Sequence, residues 1–125
     1  MKTVLITGCS SGIGRALCEK YLTKGFHVYA SARSLRSLDD LADHENLTKL
    51  SLDVNDASSI HNAIAAIKQD NVNLDVLINN AGVGVFGKTV EDIEPDDFRW
   101  VLETNLFGVF YACHYSIPVM KKGDG

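Results

Sequence analysis

Basic excess is the first thing missing. Twelve Lys and Arg stand against sixteen Asp and Glu, a net charge of −4 over 125 residues, so there is no cationic footprint for nucleic acid. No apolar run approaches the roughly 20 residues of a membrane span. The opening residues, Met1-Lys2-Thr3-Val4-Leu5-Ile6-Thr7-Gly8, imitate a signal peptide. Their apolar run is too short, however, and breaks at Thr7-Gly8, so a cytoplasmic location is expected. Cysteine is scarce and odd in number: Cys9, Cys18 and Cys113, with no C-x-x-C. That pattern argues against a disulfide framework or a zinc site. The histidines His27, His44, His61 and His114 show no metal-ligand spacing. Only Pro95 and Pro118 interrupt the backbone, and repeats, low-complexity tracts and linkers are absent. Length then allows one domain at most, long enough to bury a core.

What is present is alternation. Lys2 to Thr7 reads as a buried parallel strand ended by glycine. Ile13, Ala16, Leu17, Tyr21 and Leu22 recur at helical spacing, and Gly25 closes that helix. His27–Ser31 reads as a second strand. Leu35, Leu38 and Leu41 suggest a short helix opened by Ser34. A weaker third strand covers Leu47 to Leu52. Asp56 is positioned to cap a helix whose apolar face is Ile60, Ala63, Ile64 and Ile67. Leu74–Asn79 is a fourth strand. From Pro95 to Lys121 runs one long helical pattern, with Phe98, Val101, Leu102, Leu106, Val109, Phe110, Cys113 and Ile117 as its apolar face, frayed or kinked by Pro118. The order βαβαβαβα predicts an α/β fold, a doubly wound parallel sheet covered on both sides. The tail Lys121–Gly125 reads as a helix end and a turn toward another strand.

In such sheets ligands bind beyond the carboxyl ends of the strands, so four loops matter. The first is Thr7-Gly8-Cys9-Ser10-Ser11-Gly12-Ile13-Gly14. A turn of this kind exposes backbone N–H groups beside the positive end of a helix, which suits phosphate. Gly8 allows a sharp exit from the strand, Gly12 clears a path for pyrophosphate, and Gly14 lets helix and strand approach closely. Cys9 is either a reactive thiol near a helix start or a small filler of the loop.

The second loop is Ser31-Ala32-Arg33-Ser34. A carboxylate for a ribose 2′-hydroxyl is wanted about 20 residues past the glycines, and none is there. Arg33 suits a 2′-phosphate instead, which favours NADP over NAD; its other reading is a solvated loop cation. In the third loop, Asp53-Val54, the carboxylate can accept from an adenine amino group or can help cap the following helix. In the fourth, Asn79-Asn80-Ala81-Gly82, paired amides can tie strand ends together while Ala81 and Gly82 leave room for a sugar or ring. The same four residues also suit a plain turn.

Thr7-Gly-x-x-x-Gly-Ile-Gly14, Asp53, Asn79-Asn-Ala-Gly82 and Asn105, at these spacings and over the whole chain, resemble the short-chain dehydrogenase/reductase family. The resemblance implies a Rossmann-type sheet with strand order 3-2-1-4 in the part present. It implies that Gly8, Ser10, Ser11 and Ile13 line the pyrophosphate and ribose region. Asp53 and Val54 would contact adenine, and Asn80, Ala81 and Gly82 the ribose toward the nicotinamide. Asn105 would support a proton-relay water; a polar residue distorting a buried helix is its other reading. Long helices of this family often pack between subunits, which allows a homo-oligomer, but the apolar face here could equally cover the sheet.

The departure lies in the reaction machinery. The family uses a Ser after a fifth strand and a Tyr-x-x-x-Lys pair, the Tyr acting as general acid/base. No tyrosine here has lysine four residues later: Tyr21 is followed by Gly25, Tyr29 by Arg33, Tyr111 by Tyr115 and Tyr115 by Val119. Residues 1–125 therefore read as one incomplete NAD(P)-binding Rossmann domain, the cofactor half of an oxidoreductase acting on a small carbonyl or alcohol, without nucleic-acid or membrane partners. The rival from another class is a non-catalytic dinucleotide-binding module. A related nucleotide-sugar epimerase is disfavoured by the three residues between Gly8 and Gly12.

Overall fold

Strand β1 (Thr3–Ile6) is buried along its whole length, because it has a strand on each side and a helical layer on each face. It pairs in parallel with β2 (His27–Ala32) and β4 (Val76–Ile78), and β2 pairs with β3 (Leu47–Ser51), giving the order β3-β2-β1-β4. Alternate side chains then serve two cores. Leu5 and Tyr29 join Leu52, Ile60, Ile64, Ile67 and Leu74 on one face. Val4, Ile6, Val28 and Ala30 join Cys9, Cys18, Leu38 and Leu41 on the other. The computed structural model describes residues 1–122; the turn expected in the tail falls mostly on residues 123–125, outside the described residues.

Helix α1 (Gly12–Thr23) ends at Gly25, whose φ of +77° turns the chain into β2. Its inward face differs from the expected one. Ile13 is 73% exposed, and the fully buried positions are Gly14 and Cys18. The first turn of α1 lies too close to the end of β1 for a large side chain. The leucines after β2 form the expected short helix, of 3₁₀ type over Leu35–Leu38, with Ser34 at its N-cap position. Helix α2 (Ala57–Gln69) follows the sequence closely: the Asp56 carboxylate accepts from Ser58 N–H and Ser59 N–H, and Ile60, Ala63, Ile64 and Ile67 are its buried residues. The Tyr29 hydroxyl donates to the Asp70 carboxylate at 2.8 Å, fastening β2 to the end of α2. Burial and that carboxylate both push the Tyr29 pKa up.

The pattern over 95–121 is not one regular helix. It comprises α3 (Pro95–Leu102), a π-helical turn (Glu103–Phe107) and α4 (Gly108–Met120), with Pro118 inside the last turns of α4. The expected apolar face is also turned away from the sheet: Phe98, Leu102, Leu106, Val109, Phe110 and Ile117 are each more than a third exposed. The buried face is made of Thr104, Gly108, Ala112, Ser116 and Val119; α4 packs on α2 and β4, and Thr104 and Gly108 meet the loop after β3. Small residues are selected there because the backbones meet closely; a Cβ added to Gly108 would stand 2.9 Å from Val54 Cβ and 3.1 Å from Val54 O. Among the described residues, no helix is long and apolar enough to cross a membrane.

Candidate functional site

The turn after β1 is locked by the loop that follows its sheet neighbour β4. Thr7 is 1% exposed, and its hydroxyl oxygen accepts from Asn80 N–H and Ala81 N–H, both at 3.0 Å. The Asn80 side-chain amide donates in return to Thr7 O and Gly8 O, both at 3.0 Å. So Asn80 does tie two strand ends together, and its NH₂ group is engaged within the protein. The second amide, Asn79, donates to the Cys113 sulfur of α4 at 3.6 Å.

Two glycines open the turn. Gly14 brings α1 against the Gly8 carbonyl and Asn80. Gly12, at φ +60°, has nothing within 4 Å of where a Cβ would stand, so its side of the turn is free for a ligand. Cys9 is the small filler: it is fully buried, and its thiol donates to Ile6 O at 3.1 Å. The neighbouring Cys18 thiol is pushed far up by its hydrogen bond to Cys9 and by burial, whereas that same hydrogen bond draws the Cys9 thiol down; full burial keeps both sulfurs out of reach of a reactant. Arg15 braces the turn from α1. Its guanidinium donates to Cys9 O, Ser10 O and the Asp40 carboxylate at 3.1, 3.0 and 2.8 Å. That pairing holds the Asp40 carboxyl below its usual range.

The four strand ends meet around one cavity of about 410 Å³. Nine of the residues singled out in the sequence line it: Gly8, Ser10, Ser11, Arg33, Asp53, Val54, Asn80, Ala81 and Gly82. Arg33 is exposed at the rim, its carbonyl accepting from the Ser51 hydroxyl at 3.1 Å. Among the described residues it has no ion-pair partner. Asp53 does not cap α2; Asp56 does. One Asp53 carboxylate oxygen accepts from Asn55 N–H at 2.9 Å, which leaves the second oxygen without a hydrogen bond among the described residues. Among the described residues, Arg33 and Asp53 are the charged ones that line the cavity.

Five of the singled-out residues do not line the cavity. Thr7 and Gly14 shape the turn from beneath. Gly12 and Ile13 flank it on the solvent side. Asn105 sits in the π-turn, where its side-chain oxygen accepts from Val83 N–H and its amide donates to Val83 O, both at 2.8 Å. Asn105 is exposed rather than part of a buried helix, and it pins the loop after β4. Sequence reasoning missed Ser37, Asn55, Val83 and Thr104, all in the cavity wall, and took Ser34 only as part of the second loop and the start of a helix. Ser37 and Val83 continue the loops of Arg33 and Gly82, so following those loops further would have reached them, whereas Asn55 and Thr104 matter through a bond to each other that spans 49 residues.

A doubly wound parallel sheet whose strand-end loops close on one cavity, with a braced glycine turn at its centre, is a Rossmann-like fold. The family model for short chain dehydrogenases matches residues 2–125; the chain belongs to the short-chain dehydrogenase family. It is 42% identical over 126 residues to the short-chain dehydrogenase PC-15 of Penicillium crustosum, covering 99% of this chain and 46% of that one. It superposes with a TM-score of 0.91 on the alcohol dehydrogenase of the archaeon Thermococcus sibiricus complexed with 5-hydroxy-NADP, at 30% identity over 100% of this chain and 55% of that one. The same score holds for the Brucella melitensis 3-ketoacyl-(acyl-carrier-protein) reductase complexed with NADH, at 26% identity over 97% of this chain and 51% of that one. The chain thus spans about half the length of the relatives it matches.

Proposed function

We propose that these residues form the cofactor half of an NADP(H)-preferring oxidoreductase that moves hydride between a nicotinamide and a carbonyl or alcohol. The observation that carries the reading is Arg33, an exposed cation without a carboxylate partner at the rim of the cavity. A 2′-phosphate needs such a cation, and a carboxylate there would repel it. The fit extends along the cavity. The glycine turn offers backbone N–H groups to a pyrophosphate, and the open side of Gly12 gives it access. The free oxygen of Asp53 suits the adenine amino group, with Val54 beside it. Asn80, through its brace on Thr7 and Gly8, fixes where Ala81 and Gly82 meet the ribose. Asn105 acts as a positioning residue by holding Val83. The bound nicotinamide would supply or accept the hydride. The outward apolar row of α3 and α4 supports a homo-oligomeric assembly.

Titration of the 125-residue chain with NADPH and NADH is expected to show tighter binding of NADPH, and equal affinities would overturn the preference. A phosphate contact by a charged donor contributes about 1.5–3 kcal/mol, so Arg33→Asp should weaken NADPH by roughly 10- to 100-fold and leave NADH nearly unchanged. The same chain should show no NADPH-dependent carbonyl reduction, because none of its tyrosines has a lysine partner on a helix. Turnover by the purified chain would show that another residue serves as the acid.

A further inference from the structure

Two neighbouring residues of the π-turn hold two different walls of the cavity. Thr104 is 5% exposed, and its hydroxyl oxygen accepts from the Asn55 side-chain amide at 2.7 Å. Asn105 holds Val83 through its pair of hydrogen bonds. Asn55 belongs to the loop after β3, directly behind Asp53 and Val54, whereas Val83 belongs to the loop after β4. Among the described residues the buried Asn55 side-chain oxygen has no hydrogen-bond partner, and the bond to Thr104 is the one that orients this amide. One turn further along the same buried face, Gly108 meets Val54 so closely that a Cβ would not fit. The helix therefore grips the Asp53–Asn55 loop at two points while its next residue grips the Gly82–Val83 loop. Single π-turns within α-helices occur often at functional sites. Here the turn puts two consecutive side chains to work on separate loops.

We propose that Thr104 is a positioning residue that sets the β3–α2 loop for the adenosine end of the ligand and couples that end, through Asn105, to the loop at Val83. The inference rests on the dinucleotide reading of the cavity. Its content is mechanical: closing the Asp53–Asn55 loop on an adenosine pulls on Thr104, and the adjacent Asn105 carries the displacement to Val83. Sites joined by such an element influence each other reciprocally.

The test uses the full chain and adenosine 2′,5′-bisphosphate, a probe with no nicotinamide, followed by amide NMR. In the unaltered chain the probe should shift the amides of Asn55 and Ser11 and also that of Val83. In Thr104→Val the affinity should fall at least fivefold, and the Val83 shift should vanish while the Ser11 shift remains at saturation. Thr104→Ser keeps the hydroxyl oxygen and should restore both. Asn55→Ala removes the same bond from the loop side and serves if Thr104→Val does not fold. Affinity within twofold of the unaltered chain, or a Val83 shift that survives loss of the bond, would overturn the coupling. A merely structural Thr104 would lower the denaturation midpoint and leave the saturated shifts in place. If the unaltered chain binds neither the probe nor NADPH, the dinucleotide reading itself fails, and the coupling falls with it.

Discussion

Gly14→Ala is expected to cost about 3 kcal/mol of stability and to abolish tight dinucleotide binding. Alanine is the better helix former, by about 1 kcal/mol over glycine, and Gly14 lies in α1, so propensity alone predicts stabilisation. Packing decides the other way. The new Cβ would overlap the Gly8 carbonyl and stand 2.5 Å from the Asn80 side-chain nitrogen. Neither group can retreat. Asn80 is bonded to Thr7 O and Gly8 O, and Gly8 is itself pressed against Ala81, where a Cβ would lie 2.9 Å from the Ala81 Cα. Overpacking against backbone typically costs about 1–3 kcal/mol and at times more. Gly12→Ala is the matched control. It meets no atom within 4 Å and suffers only its φ of +60°, about 1–2 kcal/mol. Urea midpoints of the two variants separate the mechanisms. Equal midpoints would mean that the contact beneath the turn yields more easily than its geometry implies.

Thr7→Val should be nearly as damaging, although it preserves shape. The valine fills the same volume but has no oxygen to accept from Asn80 N–H and Ala81 N–H. Leaving a buried donor without a partner costs about 1–3 kcal/mol, so two such donors predict a loss near 3 kcal/mol. Thr7→Ser keeps the acceptor and removes one methyl, about 0.8 kcal/mol. The comparison is made by calorimetric unfolding of the three proteins together with an NADPH titration. Because the Asn80–Gly82 segment hangs on this hydroxyl, valine should weaken binding in the remaining folded protein and serine should not. Indistinguishable valine and serine variants would show that solvent replaces the threonine oxygen.

Much of the fold is legible because local chemistry and tertiary packing agree. The run into β1, the Asp56 cap and the Ile60–Ile67 face of α2 each follow from side chains that do one thing. Legibility fails where packing overrides pattern. Periodicity assumes that large apolar residues point inward, yet α1 places Gly14 inward and leaves Ile13 in solvent. The α4 helix lays Gly108, Ala112 and Ser116 on the core, and at Gly108 the close approach to Val54 excludes anything larger. A π-turn also shifts the phase of the helix between α3 and α4, and 3.6-residue periodicity carries no sign of it. In the site, the charged and glycine positions were readable from chemistry. Thr104 and Asn55 were not, because their importance lies in touching each other across 49 residues.

The placement of Asn80 has a consequence in time. The glycine turn is made before the other three strand-end loops, and β1 finds its β2 neighbour within about twenty-five residues. Its other neighbour and the amide that braces the turn arrive more than seventy residues later. Contacts so distant in sequence form late, since the chain between them must first be brought together. During synthesis the nascent turn therefore stays pliable until Asn80 clears the exit tunnel, and the glycine turn, though made before β2 and β3, is braced only after β4 has followed them.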